Sequence, residues 1–150
     1  MKHRKHLAIL TTALLLALCL ALTGCAGRRS VTTEDFTAAC EAAGLTVTDS
    51  IDNFDPSTVV TALTVEDENI TVGFFVFATA STARSNYAQM LDDAKTGRSG
   101  EKFVDSSEYN RFYYSDGEAA TLLYRNGTTL LYAVGDDVQT LDALIDALDV

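Results

Sequence analysis

Two β-hairpins, each followed by an amphipathic helix, constrain the fold of this chain more than any other feature of its sequence. The first hairpin joins the apolar stretches 58–65 and 70–78 through a polar tip, and residues 81–97 then repeat apolar side chains at helical spacing. The second is centred on Asn126-Gly127, a dipeptide typical of a two-residue type I′ turn, and precedes a helix that begins after Asp136-Asp137. Hairpins with short connections predict an antiparallel sheet with helices packed against it.

The remaining elements complete the order α-β-β-β-α-β-β-β-α. Thr32 and Asp35 form an N-cap signal for a first helix over residues 33–43, which Gly44 ends. Strands are predicted near 45–50 and at 111–115, whereas 102–110 is ambiguous. The sequence therefore predicts an α+β fold of two layers over residues 32–150, one domain with three helices and an antiparallel sheet of about five to six strands.

Apolar side chains occupy both faces of the strands in the two hairpins. A two-residue turn at Asn126-Gly127 pairs Leu123 with Leu130 and Leu122 with Leu131, so leucine lies on either side of the sheet. The nearly continuous apolar run at 73–77 is typical of a strand that is covered on both faces.

The N-terminus has the pattern of an export signal. Basic residues at 2–5 precede roughly 17 residues without a charge, a run slightly short for a membrane helix. The run ends in Leu22-Thr23-Gly24-Cys25, which resembles the lipobox of bacterial lipoproteins. The alternative, an uncleaved N-terminal membrane helix, also places the domain outside the cytoplasm.

The lipobox resemblance implies a defined processing and location. Residues 1–24 would be the signal peptide, the Cys25 thiol would carry diacylglycerol, and 25–31 would be the lipidated N-terminus and a short linker. The protein would then be exported and anchored to the outer face of the cell membrane, or to another envelope membrane. Arg28 and Arg29 either assist this anchoring electrostatically or serve as a solubilising linker pair.

The charge of the processed chain excludes nucleic acid as a partner. Cleavage removes three of the 11 Lys and Arg residues, which leaves 8 against 21 Asp and Glu, a formal charge of −13. Such an acidic surface repels phosphate backbones. The partners that remain are membrane lipid, through Cys25, and an envelope protein or peptide.

The residue types needed for common catalytic sites are missing from the processed chain. Both histidines lie within residues 1–24, so histidine-based general bases and Cys/His zinc sites are excluded. The sequence indicates no cofactor and no catalytic residue. The one cysteine left after lipidation, Cys40, lies on the apolar face of the first helix and is predicted to be a buried small hydrophobic residue.

Two segments are candidate binding sites. Asp49, Asp52 and Asp55 form an oxygen-rich loop that is a weak candidate for a cation, because it lacks the ligand spacing and glycine of known calcium loops; the alternative is a solvated loop with turn-capping aspartates. Aromatic residues cluster with one arginine in 103–114, where Tyr109, Arg111 and Tyr113 form a possible contact surface. The alternative is that these aromatic side chains belong to the core.

These observations favour a membrane-anchored, surface-exposed lipoprotein whose domain is a non-catalytic protein- or peptide-binding module of the cell envelope. The alternative class is an accessory lipoprotein that binds a small ligand or a cation at the 49–55 loop. A third, weaker hypothesis is a carboxylate-dependent envelope hydrolase, for which the acidic side chains would be the only catalytic groups.

Intact-mass spectrometry of protein extracted from membranes tests the lipobox prediction. We expect a mass that lacks residues 1–24 and includes an acylated Cys25, because lipidation precedes cleavage in the proteins that this segment resembles. Replacing Cys25 with alanine should abolish both the acyl addition and the cleavage. A mass that retains residues 1–24 without acyl addition would contradict the prediction.

Overall fold

The computed structural model describes residues 30–98 and 101–150, which form one antiparallel sheet flanked by α-helices. The predicted signal peptide, Cys25 and the two linker arginines lie outside the described residues. In chain order the elements are α1 (Thr33–Ala42), β1 (Thr48–Asp49), a 3₁₀ helix (Ile51–Asn53), β2 (Val59–Glu66), β3 (Ile70–Phe77), α2 (Ala80–Lys95), β4 (Lys102–Asp105), β5 (Tyr109–Ser115), β6 (Ala120–Asn126), β7 (Thr129–Gly135) and α3 (Val138–Leu148).

The sheet has the strand order β1-β2-β3-β7-β6-β5-β4, and every neighbouring pair is antiparallel. The predicted α+β class and antiparallel sheet are confirmed. The seven strands among the described residues exceed the predicted five to six, because the ambiguous stretch 102–110 supplies β4 and the start of β5. The two hairpins meet at the centre of the sheet, where β3 pairs with β7.

Helices cover both faces of the sheet, which corrects the predicted two-layer packing. The helices α1 and α3 share one apolar cluster with the strands, and α2 packs into a second cluster on the opposite face. Neighbouring residues Leu122 and Leu123 fall into different clusters and are both buried. Because successive strand residues point to opposite faces, strands that are apolar on both sides require cover on both.

The helices begin at side-chain caps that satisfy backbone N–H groups left without a partner in the first turn. At α1 the Thr32 hydroxyl accepts a bond from the Asp35 N–H at 3.1 Å, and the Asp35 carboxylate accepts one from the Thr32 N–H at 3.2 Å. This capping box confirms the predicted start of the first helix. At α3 the Asp137 carboxylate accepts bonds from the hydroxyl and backbone N–H of Thr140, and both bonds lower its pKa.

The second hairpin has a different register from the predicted one. Asn126 pairs with Thr129, so the two-residue turn is Gly127-Thr128, and Tyr124 lies opposite Leu131. Gly127 has a φ of 57°, as the first central position of a type II′ turn requires. In the observed register each β6 residue pairs with a β7 residue two positions further along the chain than predicted. A shift of two residues leaves every side chain on its predicted face.

Replacing Phe74 with alanine should lower the free energy of unfolding by about 3–5 kcal/mol, because the change opens a cavity in the core. The Phe74 ring is fully buried and stacks on the Phe36 ring of α1, with 5.1 Å between centroids. Chemical denaturation measures the loss. Val60, which is 59% exposed on β2, provides the control, since its replacement by alanine should cost less than about 0.5 kcal/mol. Equal losses in the two variants would contradict the packing described here.

Candidate functional site

The outer side of β4 is an edge of the sheet with exposed apolar side chains. In the part of the chain that the structure describes, β4 pairs only with β5. All four of its residues are exposed, and Phe103 and Val104 retain 43% and 37% of their accessible surface. Edge strands are usually protected by charge or by covering elements, because their open backbone groups can pair with another strand. Sequence reasoning missed this edge because it left 102–110 unassigned.

All six Lys and Arg residues of the described chain lie between positions 84 and 125: on α2, just after it at Arg98, and on the strands nearest this edge. Three of them stack on aromatic rings there. The Lys95 ammonium lies 4.0 Å from the Phe103 ring centroid, and the guanidinium groups of Arg98 and Arg111 lie 5.1 and 5.4 Å from the rings of Tyr114 and Tyr113. The same segment also holds seven Asp and Glu residues, so the edge carries charges of both signs.

The predicted contact residues lie beside this edge and on one face. In the register of the sheet, Arg111 is opposite Val104 and Tyr113 is opposite Lys102. Tyr113 donates a hydrogen bond from its hydroxyl to the Asp142 carboxylate of α3 at 2.7 Å, and burial together with this bond raises its pKa. Tyr109 packs against the core cluster on the same face. The tyrosines are thus partly core, while Arg111 and Tyr113 also line a cavity of about 270 Å³ that opens at the β4 edge.

Arg125 links the strands next to the β4 edge. It is 2% exposed, in a strand that is otherwise buried and mostly apolar. Its guanidinium donates to the Asn110 side-chain oxygen and to the carbonyl oxygens of Ser107 and Gly127. Asn110 in turn donates to the Asp105 carboxylate at the end of β4. This network joins β6, β5 and β4, and sequence reasoning missed it although an arginine inside an apolar strand is itself a signal of a paired buried charge.

Tyr87 brings a buried hydroxyl to the α2 side of the same edge. Its side chain is 3% exposed and lines a cavity of about 310 Å³ together with Arg84, Phe103 and Asp105. Within residues 30–98 and 101–150, no hydrogen-bond partner is found for the Tyr87 hydroxyl. Burial raises the pKa of this phenol, and the nearby Asp105 carboxylate raises it further. The hydroxyl therefore stays protonated and can bond to a polar group that enters the cavity.

Two aspartates of the 49–55 loop, Asp49 and Asp55, accept hydrogen bonds from residues two positions further along the chain. The Asp49 carboxylate accepts a bond from the Ile51 N–H at 3.0 Å, and the Asp55 carboxylate accepts bonds from the N–H and hydroxyl of Ser57. Among the described residues, no group of three or more His, Cys, Asp or Glu side chains is placed to hold a metal ion. Asp49, Asp52 and Asp55 are therefore not brought together as a metal site.

Of the two cysteines discussed above, the structure describes one. Cys40 is fully buried on α1, as predicted, and burial raises the pKa of its thiol to about 11. Cys25, the predicted lipidation site, lies outside the described residues. The helices of the described segments are too short or too polar to span a bilayer.

Comparisons with known proteins add little to this geometry. No protein-family model matches the sequence, and no curated protein matches it. One solved structure that matches is described as a GTP-binding regulator from Thermotoga maritima; it is 11% identical, has a TM-score of 0.40, and the alignment covers 75% of this chain and 86% of that one. A TM-score of that size carries no inference about the present chain.

Replacing Arg125 with methionine should lower the free energy of unfolding by about 2–4 kcal/mol, because the buried Asn110 oxygen and two carbonyl oxygens in partly buried bonds lose their charged donor. Amide hydrogen exchange should quicken most in residues 105–110, which the guanidinium ties to β6. Arg84 is exposed and makes one hydrogen bond of 3.0 Å, to the Ser106 carbonyl oxygen, so its replacement by methionine is the matched control and should cost less than about 1 kcal/mol. Uniformly faster exchange over the whole sheet would contradict a local role for Arg125.

Proposed function

We propose that this protein is an exported, lipid-anchored module that binds an envelope protein or peptide by adding one extended segment to the β4 edge. One observation carries the proposal: an open edge strand with exposed Phe103 and Val104 lies beside two cavities, one on each face of the sheet. Strand addition to a sheet edge is a common mode of peptide recognition, in which backbone hydrogen bonds supply affinity and side-chain pockets supply specificity.

The hydrogen-bond pattern of the β4–β5 hairpin indicates which backbone groups a partner would meet. The Ser106 N–H bonds to the Tyr109 carbonyl oxygen at 3.1 Å, which makes this a hydrogen-bonded pair. Because such pairs alternate along an antiparallel ladder, Val104 and Lys102 direct their N–H and C=O groups towards β5. Phe103 and Asp105 then direct theirs outwards, to the open side where an added strand would pair.

Side chains of an added strand would alternate between two cavities. On the α3 face they would meet Lys102 and Arg111, and on the α2 face they would meet Arg84 and the Tyr87 hydroxyl. Each cavity also has carboxylates in its lining, Asp142 and Asp146 on the α3 face and Asp105 on the α2 face. Phe103 and Val104 present apolar surface along the strand itself. These features favour a partner segment that carries apolar side chains for the strand and polar side chains that can pair with charges of either sign.

The proposed anchor fits this placement. Ser30, the first described residue, lies 3.5 Å from Thr129 between their hydroxyl oxygens, at the end of the sheet that carries the β6–β7 turn. The five residues 25–29 span at most about 18 Å, so a lipid on Cys25 would hold that end close to the bilayer. The β4 strand lies three strands away from Thr129 and β7, at the side of the sheet.

Replacing Phe103 with proline should weaken peptide binding at least about tenfold, because proline removes an outward N–H without breaking a bond to β5. The ligands would be short linear peptides selected from a display library against the mature lipoprotein in non-ionic detergent. Fluorescence anisotropy measures the affinity, and amide hydrogen exchange shows whether residues 102–105 become protected. We expect the selected peptides to carry apolar residues that pack on Phe103 and Val104.

Phe103→Ala is the matched control, since it removes the same ring and keeps the backbone donor. It should bind several-fold more tightly than Phe103→Pro, and both variants should retain the thermal stability of the wild type. Equal affinity in the two variants would show that the backbone edge is not the binding element, and would leave the strand-addition proposal without support.

A further inference from the structure

A further cavity lies at the acidic side of the sheet, between α2 and the segment 51–58. It has a volume of about 330 Å³, and its polar lining consists of Asp55, Thr58 and Asn86. Its apolar lining comes from both strands and helix: Phe54, Val59, Phe75, Phe77, Met90 and Leu130. We call it the aromatic groove. Its volume and mostly apolar walls with few polar groups are typical of small-molecule sites.

Three phenylalanine rings give the aromatic groove its shape. The Phe54 and Phe75 rings meet edge to face with 5.5 Å between centroids, and the Phe75 and Phe77 rings are tilted by 38° at 6.3 Å. Gly73 permits this arrangement, because a Cβ at that position would lie 2.7 Å from the Phe75 ring. Phe54 stays 38% exposed at the rim. The face of an aromatic ring carries a negative quadrupole potential that attracts cations, so a cluster of three rings suits a positive ligand.

The charges around the aromatic groove favour a cation. Residues 30–83 carry nine carboxylates and no Lys or Arg, and no basic residue is among the described residues that line the groove. Hydrogen bonds from Ser57 to the Asp55 carboxylate lower its pKa, so the Asp55 side chain is ionised at neutral pH. An anionic ligand would meet this field unfavourably, while a positive group would be attracted by both the carboxylate and the ring faces.

We propose that the aromatic groove binds a small organic cation with apolar substituents, of the quaternary ammonium class. The alkyl groups would pack on the Phe54 and Phe75 rings, and the positive charge would be balanced by Asp55. Methyl groups around a positive nitrogen combine low desolvation cost with a diffuse charge, which is the ligand chemistry that aromatic cages select. The occupant is a free small molecule. This site and the β4 edge share no residue, so either can fail without the other.

Isothermal titration of the mature lipoprotein with choline tests the proposal, and 3,3-dimethyl-1-butanol is the neutral control because a carbon replaces the charged nitrogen. The detergent must be non-ionic, since zwitterionic detergents carry the same positive group as the probe. We expect choline to bind at least about tenfold more tightly than the neutral alcohol. Equal affinities would overturn the proposal and identify the groove as a general apolar docking site.

Two variants locate the binding. Phe54→Ala and Asp55→Asn should each weaken choline binding several-fold, and the asparagine oxygen can still accept the Ser57 bonds. The matched controls are Phe103→Ala, which removes a similarly exposed ring at the other end of the sheet, and Glu68→Gln, which removes one negative charge from the β2–β3 tip. Unchanged affinity in the first pair would overturn the proposal. Binding to phosphatidylcholine vesicles without binding to free choline would overturn the free ligand in favour of a lipid headgroup.

Discussion

The width of the sheet is the constraint on which the rest of the structure depends. Seven strands spaced about 4.8 Å apart span roughly 29 Å, whereas a helix with its side chains is about 10 Å wide. Two helices share one face, but α2 alone covers the other, and it lies over the strands of the second hairpin and β3. Strips of sheet on both sides of α2 therefore stay partly open. The aromatic groove lies along one strip and the β4 edge along the other.

Charge is distributed unevenly along the same line. All six Lys and Arg residues of the described chain lie in 84–125 together with seven Asp and Glu residues, whereas residues 30–83 carry nine carboxylates and no base. The β4 side therefore carries charges of both signs, and the side of the aromatic groove carries only negative ones. The bases are held in place by rings: Lys95 lies on Phe103 and Arg111 on Tyr113, which reduces their freedom without neutralising them.

The sequence predicted elements better than their arrangement. Local sequence signals such as the Thr32 cap predict where hairpins and helices begin, and these predictions were confirmed. The predicted register of the second hairpin was wrong because Gly127 can supply a positive φ to a turn at 126–127 or at 127–128. Only the pairing of β6 with β7 distinguishes the two. The predicted number of layers was wrong. Leu122 and Leu123 indicate that both faces of the sheet are buried, but they do not indicate which helix covers each face. Arg111 and Tyr113 were predicted as a possible contact surface, with the core as the alternative, and lie beside the open edge. Arg125 was missed because two of its partners, the Asn110 side chain and the Ser107 carbonyl oxygen, come close to it only when β5 pairs with β6.

The Arg125 network also has a mechanical meaning. A chain tethered at Ser30 beside Thr129 and a partner paired with β4 would pull on opposite sides of the same half-sheet. The load would pass from β7 through β6 and β5, across hydrogen bonds that open one at a time when strands are peeled apart. Arg125 is part of β6, and its guanidinium donates hydrogen bonds to the β4–β5 hairpin and to the β6–β7 turn. It therefore links these elements at their common end. Peeling from that end would therefore have to break several charged hydrogen bonds together, so the sheet is reinforced at the end where the proposed tether would leave it.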